Sequence, residues 1–250
     1  MFAWHPLSCE GLYVSNFHDE FLLLRRQDNA GATTLPVLGQ RLLNQQFDFV
    51  DDVIATEVEI CIRLNPHFVE AGFPTVLAEL TQVIGQPQAN ESLRVWHLPI
   101  CFSSADADAA TAADEWSSVE QASRLAREDI IERLLQSELR LAMFGFLPGF
   151  AYLSGLPAEL HIPRKSNPTT RTRRNAVALG GKYLGVYSLP SPAGWHVVGE
   201  LGVNLLRYDR LPPIAIQPGD RVRLERINST QMTQLQTSLT TLSDYNLGVT

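Results

Sequence analysis

Turn-forming residues recur at short, even intervals in the second half of the chain, between residues 144 and 227, and this spacing limits the folds open to it. Glycine and proline recur there every few residues, and the runs between them are short and β-rich. Four of these runs read AVALGG, YLGVYSL, WHVVGEL and PIAIQPGDRVRLERI. Several short strands at close, even spacing are typical of a closed or nearly closed β-barrel. We therefore predict a barrel in this half of the chain.

The first ninety or so residues mix strand and helix patterns instead. Two short runs of β-type composition, EFLLLRR and ATEVEICIRL, occupy residues 20–26 and 55–64. Leucine-rich helical faces lie in LPVLGQRLLNQQF and VEAGFPTVLAELTQVIG, and SLRVWHLPICF completes the series with a further strand. This order of strand, helix, strand, helix and strand predicts a small α/β sandwich with its helices on one face of the sheet.

Three further segments complete the expected α+β organisation. SSADADAATAADEWSS, residues 103–118, is small and acidic and is predicted to form a loop, whereas EDIIERLL is predicted to be helical because Ile130, Ile131 and Leu134 fall on one side. The polar residues 229–250 are typical of a loosely attached tail. We expect an α/β domain over residues 1–94, a barrel over 95–228 and this tail.

Composition argues against several classes of function. A net charge of −7 and a pI near 5.4 predict that the chain binds neither nucleic acid nor an anionic membrane surface. The start, MFAWHPLSCEG, has no basic stretch followed by an apolar run, and no apolar segment approaches the ~18–20 residues that span a bilayer. We expect a soluble cytoplasmic protein.

The spacing of cysteine and histidine predicts no disulfide, metal site or bound cofactor. Cys9, Cys61 and Cys101 lie far apart and form no C-x-x-C pair, which fits a reducing compartment. No histidine has another at metal-ligand spacing; the six are His5, His18, His67, His97, His161 and His196. The common nucleophile, zinc-protease and nucleotide-binding patterns are also missing from the sequence, and GGK at residues 180–182 is too incomplete to be a phosphate loop.

The segment PRKSNPTTRTRR concentrates positive charge in a chain that is acidic overall. Its basic residues are Arg164, Lys165, Arg171, Arg173 and Arg174. The segment is either a solvated loop or a site for a small anion, because guanidinium groups bind carboxylate and phosphate in a bidentate way. Like charges repel at close range, and a bound anion would relieve that repulsion. We therefore predict that Arg164 and at least one of Arg171, Arg173 and Arg174 converge on the mouth of the barrel near Trp195.

Two aromatic segments are the other candidates for a binding site. FGFLPGFAYLSGLP, residues 144–157, is uncharged and places three Phe and one Tyr among three Gly and two Pro. In SPAGWHVVGEL, Trp195 directly follows a predicted turn and precedes His196. This tryptophan is either a core residue or part of a pocket for a small flat ligand.

These motifs together resemble the family called allophanate hydrolase subunit 1 or the 5-oxoprolinase B subunit, which also includes an inhibitor of a sporulation histidine kinase. FGFLPGFAYLSGLP, PR, SPAGW, VVG and PGDRVRLERI follow in order, without gaps, from about Glu128 to Ile227. The resemblance implies a small N-terminal α/β sandwich and a C-terminal cyclophilin-like β-barrel. It also implies a companion chain like the 5-oxoprolinase C subunit, with which the family opens 5-oxoproline to glutamate at the expense of ATP. Fused relatives form the carboxyltransferase part of biotin-dependent urea carboxylase.

The chain departs from the family pattern around its basic segment. Family members read PR-x-x-x-PR-x-x-VPAGSV where this chain has PRKSNPTTRTRRNAV, so that Arg164 and Pro168 are kept. An Arg, a Pro, a Ser, a Gln and a His of the pattern are replaced by Thr169, Arg173, Ala176, Tyr183 and Leu134. With most of these polar groups lost, either the substrate differs or the chain binds and regulates without turnover.

The preferred hypothesis is a subunit of an ATP-dependent 5-oxoprolinase-type hydrolase of lactams or amides, inactive alone. Arg164 and Arg171 are expected to bind a small anionic or cyclic amide substrate, Tyr152 and Trp195 to form an apolar wall, and His196 to carry a proton. No cofactor is expected on this chain, and the complex uses the ATP. The alternatives are a non-enzymatic regulator that inhibits a histidine kinase by protein–protein binding, and a stand-alone barrel that binds a small molecule.

Overall fold

The structure is a computed structural model that describes residues 4–7, 11–16, 20–26, 34–66, 73–86, 94–102, 109–238 and 240–247. The chain divides into two compact units, Met1–Ser92 and Leu93–Thr250. The first combines a sheet with helices and the second contains a closed barrel, so the predicted α+β class is confirmed.

The first unit is built on a five-stranded antiparallel sheet with the strand order β1-β2-β3-β5-β4. The strands are β1 (His5–Pro6), β2 (Leu12–Asn16), β3 (Phe21–Arg26), β4 (Val50–Ala55) and β5 (Glu59–Leu64). Helices α1 (Leu35–Asn44) and α2 (Phe73–Ile84) complete the unit. Alternate strand residues such as Leu24 and Ile62 pack with helix residues such as Leu38 and Leu80 in one core, as the period-two and helical patterns predict.

The second unit is a seven-stranded barrel closed in the order β10-β8-β7-β12-β6-β11-β9. Its strands are β6 (Val95–Cys101), β7 (Leu139–Phe144), β8 (Ala151–Ser154), β9 (Ala176–Gly180), β10 (Tyr183–Tyr187), β11 (His196–Leu201) and β12 (Arg221–Arg226). Neighbouring strands run antiparallel except β6 and β12, which are parallel. The run SLRVWHLPICF therefore contributes its strand to the barrel, on the barrel side of the boundary expected at residues 94 and 95, and does not close the first sheet as the order of elements suggested.

Alternate residues of the barrel strands fill the interior. Leu153, Leu179, Leu184 and Val186 all belong to the largest core cluster. Two helices, α3 (Ala109–Ser123) and α4 (Arg127–Gln136), add apolar side chains to the same cluster. Those of α4 are Ile130, Ile131 and Leu134, the face predicted from the sequence.

Helix α3 corrects the prediction of a loop over residues 103–118. The part from Ala109 onward is helical, while residues 103–108 lie outside the described residues. The segment is rich in alanine, the strongest helix former, and it buries Trp116 and Val119 in the barrel core. Small acidic composition alone did not reveal this helix.

The predicted loose tail is also corrected, because residues 229–250 contain helices α5 (Ser229–Thr237) and α6 (Leu242–Leu247). Asn228 and Gln231 form a reciprocal capping box at the start of α5. The Tyr245 hydroxyl donates to Glu225 of β12 at 2.6 Å, and the Asn246 side chain bonds the backbone of His97 in β6. A polar segment can thus be held to the barrel by hydrogen bonds.

No helix of the described residues is long and apolar enough to cross a membrane.

A buried carboxylate next to the parallel strand pair provides a test of the barrel. Asp220 Oδ2 accepts from Trp96 Nε1 at 2.8 Å and from the Gln217 amide at 2.9 Å. We predict that Asp220→Ala lowers the free energy of unfolding by about 2–3 kcal/mol, because these donors lose their acceptor. Urea unfolding measures the change. Asp209→Ala removes an exposed carboxylate and should have a much smaller effect; equal effects of the two substitutions would contradict the prediction.

Candidate functional site

Six aromatic side chains form one cluster on the barrel wall. They are Phe146, Phe150, Tyr152, Tyr183, Tyr187 and Trp195. Neighbouring ring centroids lie 4.7–6.4 Å apart, with planes inclined by 62–89°. This edge-to-face geometry aligns the positive edge of one ring with the negative face of the next. The segment FGFLPGFAYLSGLP thus supplies half of a rigid aromatic surface.

The cluster lies on the outer face of the barrel wall. On β10, Leu184 and Val186 belong to the interior core, whereas Tyr183 and Tyr187 belong to the aromatic cluster. Because successive strand residues point to opposite faces, the aromatic side chains point away from the interior. The candidate site is therefore formed outside the barrel rather than within it.

Two glycines create the space that Trp195 occupies. A Cβ atom on Gly180 would lie 2.3 Å from Trp195 Cδ2, and one on Gly185 would lie 2.6 Å from Cζ3. The indole therefore packs against the backbone of β9 and β10, and only 6% of Trp195 is exposed. The GGK run forms the turn between these strands, with Gly180 paired to Tyr183.

Arg164 brings a positive charge to this surface. The exposed side chain places its Cζ atom 6.0 Å from the centre of the Trp195 ring, within cation–π range. Burial raises the pKa of Tyr187 to about 12 and also raises the pKa of Tyr152, while the charge of Arg164 acts to lower both. Both phenols therefore stay protonated at neutral pH and can donate a hydrogen bond. Lys182 Nζ lies 5.1 Å from the centre of the Tyr183 ring at the same cluster. Cations beside protonated phenols suit an anionic or carbonyl-bearing ligand.

Two other arginines of the basic segment, Arg171 and Arg174, make no described contact with Arg164 or Trp195. Arg174 lines a separate cavity with Glu200 and Asn204. Arg171 is exposed, and no contact among the described residues links it to Arg164 or Trp195. The structure thus brings Arg164 to Trp195 and directs Arg174 elsewhere.

A largely buried ion pair holds the basic segment against the barrel. Lys165 Nζ pairs with Glu115 Oε1 of α3 and donates to Thr169 Oγ1 at 2.7 Å. The other oxygen of Glu115 accepts from the Val197 amide at 3.2 Å. The Lys165 amide donates to the Gly194 carbonyl, and Thr169 and Ala193 exchange backbone bonds in both directions. These bonds hold the basic segment against the residues just before β11. These bonds argue against a loop that is only solvated. The sequence did not reveal the role of Glu115, because the residue lies in a segment predicted to be irregular.

His196 is held by hydrogen bonds on both sides of its ring. Nε2 donates to the Pro163 carbonyl at 3.0 Å, so Nδ1 accepts from Ser118 Oγ at 3.1 Å. Burial lowers the pKa of His196, the hydrogen bond to the Pro163 carbonyl acts to raise it, and the charge of Lys165 lowers it further. A neutral ring with both nitrogens engaged fits a role in positioning Pro163 beside Arg164 better than the proton transfer that the sequence suggested.

The positions that depart from the family pattern contribute to packing. Leu134 is fully buried in the barrel core, and Ala176 lies within the aromatic cluster. Tyr183 extends that cluster through a contact of 5.6 Å with Tyr152. Apolar surface has thus replaced polar groups near the site.

Metal binding finds no support in the described residues. No group of three or more His, Cys, Asp or Glu side chains among them is placed to hold a metal ion. Cys61 and Cys101 are not joined by a disulfide, and Cys9, His18 and His67 lie outside the described residues.

Glycine at the tryptophan contact should be essential for the site. We predict that Gly185→Ala destabilises the protein by about 1–3 kcal/mol and changes the near-ultraviolet circular dichroism, because the new methyl group overlaps Trp195 and Phe150. Gly194→Ala is the matched control, since no heavy atom lies within 4 Å of its added Cβ. Similar unfolding curves for the two variants would show that the indole is not packed as described.

The burial of His196 should make stability depend on pH. Its folded pKa lies below the unfolded value of about 6.5, so the unfolded state binds more protons in mild acid. The free energy of unfolding therefore falls as pH drops through ~6.5. We predict a smaller fall for His196→Gln, whose uncharged amide can bond both the Pro163 carbonyl and the Ser118 hydroxyl. Urea unfolding at about pH 7.5 and 5.5, on either side of the ordinary histidine pKa, tests this; identical losses in wild type and His196→Gln would count against it.

Comparison with known proteins places these observations in a family. A family model described as the carboxyltransferase domain, subdomain C and D, matches residues 14–216. The B subunit of 5-oxoprolinase from Escherichia coli O157:H7 is 37% identical over 99 residues, which cover 40% of this chain and 45% of that protein. The B subunit of 5-oxoprolinase from Bacillus subtilis (strain 168) is 29% identical over 135 residues, which cover 54% of this chain and 54% of that protein. The chain spans about half the length of these curated relatives.

Solved structures share the fold. The crystal structure of TTHA0988 matches with a TM-score of 0.67 and 25% identity, over 84% of this chain and 40% of that one. Urea carboxylase from Kluyveromyces lactis has the same TM-score, 0.67, at 15% identity, over 93% of this chain and 23% of that one, a likeness of fold alone. With the family model, the relatives and the motifs in agreement, the chain belongs to the carboxyltransferase subdomain C and D family that includes the 5-oxoprolinase B subunit.

Proposed function

We propose that the chain is a subunit of an ATP-dependent 5-oxoprolinase-type hydrolase, which opens a lactam or amide bond together with a companion barrel subunit. Family membership and the names of the relatives support this proposal. The observation that locates a substrate site for the proposed reaction is the position of Arg164 over Trp195, next to the phenol of Tyr152. An aromatic surface with cations at its edge suits a small, flat, anionic substrate.

In this proposal each group has a separate task. The Arg164 guanidinium binds the substrate carboxylate or a phosphorylated intermediate, and exposed Arg171 is the second candidate for that charge. Tyr152 and Trp195 form the apolar wall against which a five-membered ring can lie. The protonated hydroxyl of Tyr152 can donate to a lactam carbonyl and stabilise the negative charge that develops on its oxygen.

The remaining chemistry is assigned to the complex. His196 has both ring nitrogens engaged, so we assign no general acid or base to this chain. The companion subunit supplies the missing catalytic groups, and the complex, not this chain, binds and uses ATP. This division predicts that the chain is inactive alone.

Phe146 marks the surface on which the companion docks. It is 66% exposed, an unusual position for a phenylalanine, and it has a φ angle of 65°. Backbone bonds from Leu147 to Gly145 at 2.7 Å and from Phe150 to Leu147 at 3.0 Å hold this strained turn. An exposed aromatic ring maintained beside the proposed substrate wall supports a partner that covers it and completes the site.

Reconstitution tests the proposed activity. The purified chain alone should release no glutamate from 5-oxoproline, whereas its companion subunits with ATP should restore release. Arg164→Ala should raise KM about 10-fold or more, as expected for a lost charge-assisted bond worth ~1–3 kcal/mol. Arg223→Ala, at an exposed position on β12, should leave KM unchanged. Persistent inactivity of a fully assembled wild-type complex would overturn the proposal.

A regulatory role is the alternative that the loss of polar groups favours, since Leu134 and Ala176 now serve packing. Affinity capture separates the two hypotheses. Recovery of a barrel-type companion supports the hydrolase subunit, and recovery of a histidine kinase supports the inhibitor. A monomer that captures neither would support a stand-alone binding barrel.

A further inference from the structure

An exposed apolar loop lies between β11 and β12, at residues 207–213. It reads RYDRLPP, and every residue after Arg207 is exposed. Leu211 is 97% exposed and Tyr208 is 71% exposed. Single exposed apolar side chains are normal in soluble proteins, but a contiguous group of them marks an interaction surface. The proposed hydrolase reaction uses none of these residues.

Hydrogen bonds give the 207–213 loop a fixed conformation. The Arg207 amide donates to the Pro213 carbonyl at 2.8 Å and closes the base of the loop. The Arg207 guanidinium donates to the two carboxylate oxygens of Asp209 at 2.9 and 2.7 Å. These side-chain bonds lower the pKa of Asp209 to about 2, so the pair keeps both charges at neutral pH. A loop that is already ordered loses little conformational entropy when a partner covers it.

The loop adjoins the turn that carries Phe146. An added Cβ atom on Gly149 would lie 3.1 Å from Leu206 Cβ, so the two segments pack closely. Gly149 comes three residues after Phe146, and Leu206 comes two residues before Tyr208. Since each residue spans at most ~3.6 Å of chain, the Cα atoms of Phe146 and Tyr208 lie within about 25 Å of each other.

One exposed phenylalanine is too small to hold the companion subunit by itself. Stable complexes bury ~800 Å² on each partner, whereas one aromatic side chain buries ~150–250 Å². The companion therefore has to cover more of this chain than Phe146. A round patch of ~800 Å² is about 30 Å across, so one partner can cover Phe146 and the 207–213 loop together.

We propose that the 207–213 loop is a second anchor for the companion barrel subunit, beside Phe146. This inference rests on the proposed function, which requires that companion. Leu211 enters an apolar recess of the companion, and the Tyr208 ring packs against the same surface with its hydroxyl at the wet rim. Tyrosine is enriched among the few residues that carry most of the energy of an interface, so Tyr208 is a principal contact.

Binding of the companion to variants of the full chain tests the proposal. The probe is the purified 5-oxoprolinase C-type subunit from the same organism, titrated by isothermal calorimetry. We expect Tyr208→Ala and Leu211→Asp each to raise its Kd at least about tenfold, because one removes a contact and the other places a charge in an apolar recess. Both side chains are exposed, so an unchanged circular dichroism spectrum should show that the fold is retained.

Val58→Asp is the matched control. Val58 is 68% exposed and lies between β4 and β5 of the first unit, so the same kind of substitution there should leave the Kd unchanged. Weaker binding by the two loop variants supports the inference even where the assembled complex hydrolyses no 5-oxoproline. Failure of the proposed activity is therefore distinguishable from failure of this inference.

An unchanged Kd in both loop variants would overturn the inference and leave the proposed activity in place. A wild-type chain that does not bind the companion would overturn the inference and the proposed complex together. Sedimentation of the chain alone gives the last test. A dimer that Leu211→Asp dissociates would assign the loop to a second copy of this chain and would also overturn the proposal.

Discussion

The contact between the Trp195 indole and the glycine backbone of β9 and β10 underlies the candidate site. Side chains at Gly180 or Gly185 would occupy the volume of the indole, so the two strands accept a tryptophan only because both positions lack a Cβ. In this position the indole makes edge-to-face contacts with Phe150 and Tyr152, and the Arg164 guanidinium lies within cation–π range of it. The position of the cation thus depends on the packing of an aromatic ring against bare backbone.

Polar interactions, rather than ring packing, hold the basic segment on either side of Arg164. Glu115 bridges Lys165 and the Val197 amide, and the neutral ring of His196 bridges Ser118 and Pro163. Ion pairs shielded from water gain little net stability, because desolvation offsets their attraction. Their contribution here is positional: α3, the basic segment and the start of β11 are joined on either side of Arg164. Loss of one partner would leave a poorly solvated charge and release the segment.

The fold was largely predictable from the sequence, whereas the placement of the site was not. The close, even spacing of turn residues predicted the barrel, because it limits the chain to short strands. The spacing of Ile130, Ile131 and Leu134 predicted α4, because it reflects a single buried face. Strands β9 and β10 are buried on both faces, so alternation could not show which side Tyr187 occupies. Glu115 and Lys165 are 50 residues apart, and only the tertiary fold brings them together. The tail helices were missed because each buries few apolar side chains, Met232 on α5 and Leu242 on α6, so that the polar composition of the segment conceals them.

The substitutions within the family pattern have a common physical consequence. Leu134, Ala176 and Tyr183 fill space with apolar or aromatic groups, and Thr169 accepts a hydrogen bond from Lys165. Arg164 over Trp195 and Lys182 over Tyr183 are cations at the aromatic cluster. A ligand there gains more from stacking and from these cations than from a network of polar contacts. Selectivity at such a surface rests on the ligand's shape and on its negative charge.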